Sequence, residues 1–288
     1  MKLIPRDTCP FCKSEKIKTL FKIKYRDKKL SDFLLAYYKS EKLNEVLENY
    51  DYEIIKCNVC KGIFQKNVPD PDFADYLYDK CISVDESFKK KINFDKINYL
   101  KLEEDYNLIK QLLDKDKNID ILEFGCGWGH WSKFMQSKGF NLITCEFSKK
   151  RHQYLTDNGI INYQNISDIK KRFDLIYTEE VLEHLSDPIE TLIKLSKLLK
   201  NDGFMIHKFP SSKFFQLKLN FNYVPKKDCA HPLEHINLFN KKCFVEICKK
   251  LNLNLIQLNN IKNQNLRTKI KILKNNYLFN FVVLQKVT

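Results

Sequence analysis

Between residues 119 and 210 the apolar pattern keeps switching period, and few architectures accept that rhythm. IDILEF (119–124) is a continuous apolar run of strand length, and HWSKFMQSKG (130–139) has helical spacing that ends on Gly139. NLITCEF (141–147) is again strand-like. SKKRHQYLTDNG (148–159) is helical, with Ser148 at its cap and Gly159 past its end. IINYQ (160–164) and FDLIYT (173–178) add two strands, DPIETLIKLSKLLKNDG (187–203) a helix with Pro188 in its first turn, and GFMIHKF (203–209) a fifth strand. A helix over 241–252 and strands in LNLIQL (253–258) and FNFVVLQKV (279–287) complete the pattern. Parallel strands need crossovers, and the intervening helices supply them. The expected fold is therefore α/β, a mostly parallel sheet of seven strands covered on both faces.

The ligand site is expected where the first of these strands ends. FGCGWGH (124–130) holds three of the chain's seven glycines, between a strand and a helix. In open α/β sheets ligands lie over the carboxyl ends of the strands. Glycine matters there because a Cβ would hold a ligand off the backbone N–H groups. A dinucleotide loop would need glycine where His130 stands, and Glu123 at the strand end would repel a pyrophosphate. It would attract a cation instead.

The run E-x-G-x-G-x-G from Glu123 to Gly129 resembles the first motif of class I S-adenosylmethionine-dependent methyltransferases. The resemblance continues in order over roughly residues 95–285, through TCEFS, QNISDI, FDLIYTEEVLEHLSDP (173–188), KNDGFMIHKFPS and HINLFNKKCFVEICKKLNL. It implies a Rossmann-like seven-stranded methyltransferase sheet, an enzyme, and S-adenosylmethionine as cofactor. It also implies a cofactor seat built from Glu123, Gly125, Cys126, Gly127 and Gly129, with Glu146 on the ribose, Phe147 beside it, Ser167 or Asp168 facing the adenine, and Glu179 closing the set. Methyl transfer disperses positive charge in the transition state, so a partly dry pocket and an aligned acceptor supply much of the catalysis.

Glu180, Glu183 and His184 share one face of a helical turn that the resemblance places beside the methyl group. A similar pattern in ubiquinone-pathway methyltransferases contributes to a divalent-cation site, where Mg²⁺ could acidify an acceptor hydroxyl. The plainer reading, preferred here, is that these residues brace the turn. His184, His207 and His235 are candidate general bases, with His235 first and His231 a neighbour on the same segment. FFQLKLNFNYVP (214–225) is either an acceptor lid or a cover for the sheet.

CPFC (9–12) and CNVC (57–60) supply four cysteines, Cys9, Cys12, Cys57 and Cys60, the number that a structural Zn²⁺ takes. Between them TLFKIKYRD reads as a strand and residues 31–50 as a helix capped by Ser31. The expected organisation is a small zinc-ribbon domain over residues 1–68, a linker over 69–94 and the methyltransferase domain over 95–288, with a helix from 92 to 114. The segment following the second pair resembles that of bacterial methyltransferases acting on surface sugars, which implies O-methylation of a sugar, a nucleotide-linked sugar or a capsule or lipopolysaccharide precursor. The other six cysteines read as core or incidental residues.

The net charge of +14 divides unevenly. Residues 1–61 carry 14 basic and 9 acidic side chains, residues 62–240 carry 26 of each, and residues 241–288 carry 10 and 1. Only five of the 50 basic residues are Arg, which suits a Lys/Asn-biased proteome better than selection for phosphate contact. A nucleic-acid partner is therefore not expected. An rRNA or tRNA methyltransferase remains the rival reading, although TEEV follows the fourth strand in place of an N/D-P-P-Y/F tetrapeptide. A catalytically dead scaffold is a second rival, disfavoured by the intact glycines and Glu146. The N-terminus lacks a signal-peptide core and no apolar run has membrane-spanning length, so a cytoplasmic location is expected. The sequence leaves the oligomeric state open.

Overall fold

The computed structural model describes residues 1–82, 88, 96–113, 118–220, 222–256 and 279–287. The end of the expected linker, Ile92 in the helix expected from 92, and the basic stretch 257–278 lie outside these residues. The N-terminal part contains β1 (Leu3–Pro5), β2 (Ile17–Lys24), α1 (Lys28–Tyr38), α2 (Glu41–Leu47), β3 (Asp51–Cys57), β4 (Ile63–Gln65), β5 (Asn67–Pro69) and α3 (Pro71–Tyr76). After α4 (Lys96–Leu113) come β6 (Asp120–Phe124), α5 (His130–Ser137), β7 (Asn141–Cys145), α6 (Lys149–Asp157), β8 (Asn162–Tyr163), β9 (Phe173–Glu179), α7 (Pro188–Lys197) and β10 (Leu199–Pro210). The chain closes with α8 (Phe215–Lys218), β11 (Asn237–Leu238), α9 (Lys241–Leu251), β12 (Leu253–Ile256) and β13 (Phe279–Lys286).

Seven strands form the large sheet in the order β12-β13-β10-β9-β6-β7-β8. β8, β7, β6, β9 and β10 run parallel, and β13 lies antiparallel between β10 and β12. The seven-stranded α/β sheet expected from the alternating pattern is present. Its strand order reverses direction between β6 and β9, and a crevice opens at such a switch point. Local signals set the helix starts: Asp187 accepts the Glu190 N–H at 3.0 Å ahead of Pro188, and Asn240 accepts the Lys242 and Cys243 N–H groups at the head of α9.

The helix expected over 31–50 is two helices. Asp27, not Ser31, caps the first, by accepting the Lys29 N–H at 3.0 Å. Lys39, in left-handed conformation with φ 52°, breaks it before Glu41. The two buried aromatics of the stretch 214–225 do not cover the large sheet. Phe215 and Tyr223 pack in the apolar cluster that contains Tyr25, Leu30 and Tyr52, and the Tyr223 ring meets Phe21 edge-on at 5.1 Å.

A smaller sheet, ordered β11-β4-β3-β2, takes one strand from the far end of the chain. Asn237 pairs with Phe64 and Leu238 with Ile63. Cys9, Phe11, Cys57 and Phe64 belong to the same apolar cluster as Phe209, Phe239 and Phe244 beneath the large sheet. The N-terminal segment thus shares both a sheet and a core with residues from 209 onward.

Candidate active site

The three glycines after β6 all have positive φ, but a Cβ on each would meet different surroundings. At Gly125 it would lie 2.4 Å from Val181 Cγ2, and at Gly129 it would lie 2.5 Å from Leu155 Cδ2. Both positions are glycine because the loop packs against protein there. At Gly127 a Cβ would meet no atom of the described residues within 4 Å apart from its own chain neighbours. Gly127 is the position where bare backbone faces open space.

Around that space stand several of the expected cofactor residues. Glu146, buried just beyond the tip of β7, accepts the Gly127 N–H at 2.9 Å and the Ser148 N–H at 3.1 Å, with Arg151 at 3.7 Å. Phe147 is 50 % exposed and meets Phe124 edge-on. Ser167 and Asp168 sit exposed on a short helical turn capped by Asn165. Cys126 is buried, and burial pushes its thiol up. Glu123 is only 5 % exposed and its carboxylate receives the Ser132 hydroxyl.

The candidate bases separate sharply. His207 has no exposed surface. It bonds Thr178 Oγ1 at 2.9 Å, stacks near Phe244, and burial pushes its imidazole down to about 3. As a general base it is corrected to a core histidine, since no acceptor can reach it. His184 and His235 do come together, with ring centroids 4.9 Å apart. Tyr78 bonds His184 Nδ1 at 3.0 Å, and the Asp228 carbonyl lies 2.9 Å from His235 Nδ1. Burial first, then the neighbouring His235, push His184 down to about 3, and burial pushes His235 down to about 4, so both rings are neutral at physiological pH. Glu180 is exposed, at φ 53°. Glu183 is 1 % exposed, and neither carboxylate oxygen has a hydrogen-bond partner among the described residues. Burial raises its pKa well above the carboxylate range. Ligand atoms of Glu183, His184 and His235 all lie within 4.8 Å of one another, so these three could hold a cation.

The N-terminal segment builds part of this wall. The Gln65 amide donates to His231 O at 2.8 Å and His235 O at 3.0 Å, and its oxygen accepts Leu233 N–H at 3.2 Å. Leu233 itself is held at φ 69°, a strained conformation that such anchoring sustains. Asn237 donates to Leu182 O and Leu185 O, which ties this segment to the turn that carries Glu183 and His184. Gln65 carried no sequence signal, because its partners lie about 165 residues away.

The four N-terminal cysteines converge. All four Sγ atoms lie within 4.8 Å of one another, with Cys9–Cys60 and Cys12–Cys57 at 3.5 Å. Sulfurs bound tetrahedrally to zinc lie about 3.8 Å apart, given Zn–S bonds of about 2.3 Å. The residue after each pair, Lys13 or Lys61, takes φ 62°, so the two knuckles turn alike. The donor set and spacing fit a closed structural metal site.

A mostly parallel sheet whose first strand runs into a glycine facing open space, with an acid at the neighbouring strand tip, fits the class I S-adenosylmethionine-dependent methyltransferase arrangement expected from the sequence. Residues 99–258 match the model of the methyltransferase domain family, and the chain belongs to that family. It is similar to the ubiquinone biosynthesis O-methyltransferase of Pelagibacter ubique (strain HTCC1062), 34% identical over 134 residues, 41% of this chain and 54% of that one. The enzyme of the same name from Caulobacter vibrioides is 32% identical over 100 residues, 31% and 40% of the two chains. The chain therefore spans about half the length of the curated relatives it matches. Among solved structures, the plantazolicin methyltransferase BamL in complex with a triazolic desmethylPZN analog and SAH is similar at a TM-score of 0.56 and 12% identity, covering 75% of this chain and 94% of that one. That likeness concerns the fold. No helix among the described residues is long and apolar enough to cross a membrane.

Proposed function

We propose that the chain transfers a methyl group from S-adenosylmethionine to an oxygen of a small hydroxylated acceptor. The observation that carries the reading is Gly127, whose missing side chain leaves backbone open to a ligand beside the Glu146 carboxylate. The nucleoside would lie over β7, with Glu146 on the ribose, Phe147 alongside and Ser167 or Asp168 toward the base. The acceptor would enter near His184 and His235, whose neutral imidazoles can hydrogen-bond and orient its hydroxyl. The names of the relatives support an oxygen acceptor. They give no support to the surface-sugar acceptor expected from the N-terminal segment. The cysteine cluster would hold Zn²⁺ as a structural ion, stiffening the strands that carry Gln65. Transfer of labelled methyl from S-adenosylmethionine to 3,4-dihydroxybenzoate and to a UDP-hexose tests the acceptor class. Labelling of the first supports a phenolic oxygen, labelling of the second restores the sugar, and labelling of neither rejects both.

One observation favours a second reading, in which a divalent cation joins the site. A buried carboxylate without partners, as at Glu183, is costly unless it is protonated or binds an ion. His184 and His235 would complete its ligand set. Loss of activity on EDTA treatment, restored by Mg²⁺ or Mn²⁺ but not Zn²⁺, would support that reading, and EDTA-insensitive turnover would exclude it.

A further inference from the structure

Around Glu179 at the tip of β9, one of the expected cofactor residues, stands a group of polar side chains drawn from several elements. The Tyr177 hydroxyl lies 2.7 Å from Glu179 Oε2 and 2.9 Å from Asp105 Oδ2. Asp105, on α4, also accepts Trp131 Nε1–H at 3.1 Å and the Lys208 ammonium at 2.7 Å. The Trp131 ring lies flat on Tyr177, centroids 4.0 Å apart, and Lys208 Nζ is 5.5 Å from the centre of the same tyrosine ring. Four elements, α4, α5, β9 and β10, thus meet on one phenol. Burial alone would lower the Lys208 pKa, yet Asp105 and Glu179 hold it above the ordinary lysine value. Asp105 and Tyr177 are buried, whereas Glu179 is half-buried at the strand end.

A phenol has one hydrogen to donate. Asp105 Oδ2 already receives hydrogens from Trp131 and Lys208, so the Tyr177 hydrogen belongs to Glu179, its shorter contact. That bond fixes the direction of the carboxylate. The register places the group. Glu123 on β6 stands opposite Tyr177 on β9, so Glu179, two residues on, flanks Gly125 where β6 gives way to the loop. Glu146 stands on the other side of β6, just past the tip of β7. A donor with its nucleoside over β7 therefore extends its methionyl end across β6 toward Glu179. Glu123 is buried with its carboxylate bonded to Ser132, and the exposed Glu180 lies past the strand end, so Glu179 is the acid at the tip of β9 itself.

We propose that Asp105, Lys208 and Tyr177 are positioning residues that hold the Glu179 carboxylate as counter-charge for the methyl donor's α-ammonium group. The proposal rests on the methyltransferase reading above and adds the acid that recognises the amino-acid end.

The test is calorimetry on the full chain with two probes. S-adenosylhomocysteine carries the α-ammonium group, and 5′-methylthioadenosine keeps the nucleoside and thioether but lacks the amino-acid end. Tyr177→Phe removes only the hydroxyl and keeps the ring stack. It is expected to weaken S-adenosylhomocysteine roughly tenfold, about the worth of one hydrogen bond to a charged group, with methylthioadenosine within about twofold. Glu179→Gln, at a half-buried position, should reproduce that selective loss, and it carries the test should Tyr177→Phe fail to fold. Equal loss for both probes would make the network merely structural and overturn the proposal, as would unchanged S-adenosylhomocysteine affinity in both variants. Failure of the unmutated chain to bind either probe would remove the methyltransferase reading itself, a result distinct from these.

Discussion

Alanine at Gly127 and at Gly129 should separate ligand binding from folding. Both residues have left-handed backbone, φ 59° and 70°, which costs an alanine about 1–2 kcal/mol. At Gly127 nothing more is lost, since the new methyl meets no atom of the described residues within 4 Å apart from its own chain neighbours. At Gly129 the methyl would sit 2.5 Å from Leu155 Cδ2 and 2.9 Å from Ile160 Cδ1. Overpacking of that kind adds about 1–3 kcal/mol, for a total of about 2–5 kcal/mol. With about 2–4 °C lost per kcal/mol in a chain of this size, Gly127→Ala should lower the melting temperature by about 2–8 °C and Gly129→Ala by distinctly more. Binding should rank in the opposite order. Gly127→Ala places its methyl where the donor approaches the backbone and should weaken S-adenosylhomocysteine by at least roughly tenfold in calorimetry, a loss of about 1.4 kcal/mol or more. Gly127→Asn, which tolerates this backbone better, should recover stability but not affinity. Full affinity in Gly127→Ala would refute the assignment of this loop to the donor.

Two further outcomes follow from the cysteines and from His207. Native mass spectrometry should find one zinc ion on the unmutated chain and none on Cys57→Ser, whose unfolding temperature should fall; a variant that keeps full metal content would show that these thiolates are not the ligands. His207, pushed down to about 3 by burial, stays neutral in the folded chain while its unfolded counterpart takes up a proton below about 6.5. Its contribution to stability is therefore present above about pH 6.5 and is lost as pH falls toward about 3, at about 1.4 kcal/mol per pH unit in the steepest part. Urea unfolding at pH 6, 5 and 4 should show a shallower acid loss in His207→Gln, and an unchanged slope would place the pH dependence elsewhere.

How much was legible in the sequence depended on distance along the chain. The large sheet could be read because each of its strands announces itself within five to nine residues, and the glycine loop and the two cysteine pairs because their spacing is local. Long-range pairing left no such mark. β11 is two residues long and acquires strand character only from β4, and Gln65 looks like any polar residue near a turn until the 228–238 segment folds over it. The same holds for Asp105, Lys208 and Tyr177, which come from three separate elements. His207 misled because its place at the end of a strand motif pointed to the crevice, whereas strand alternation turns its side chain onto Phe244. Ser31 misled because Asp27, four residues earlier, offers a carboxylate to the same stretch of backbone.

The two-residue strand Asn237–Leu238 has a consequence for anyone who wishes to divide this chain. A cut between the cysteine module and the catalytic sheet would leave the module with an unpaired edge along Ile63–Phe64, and the catalytic part with a loose segment bearing His235. Grafting the module onto another enzyme, or trimming it to make a smaller catalyst, would therefore have to carry residues 228–240 along with it.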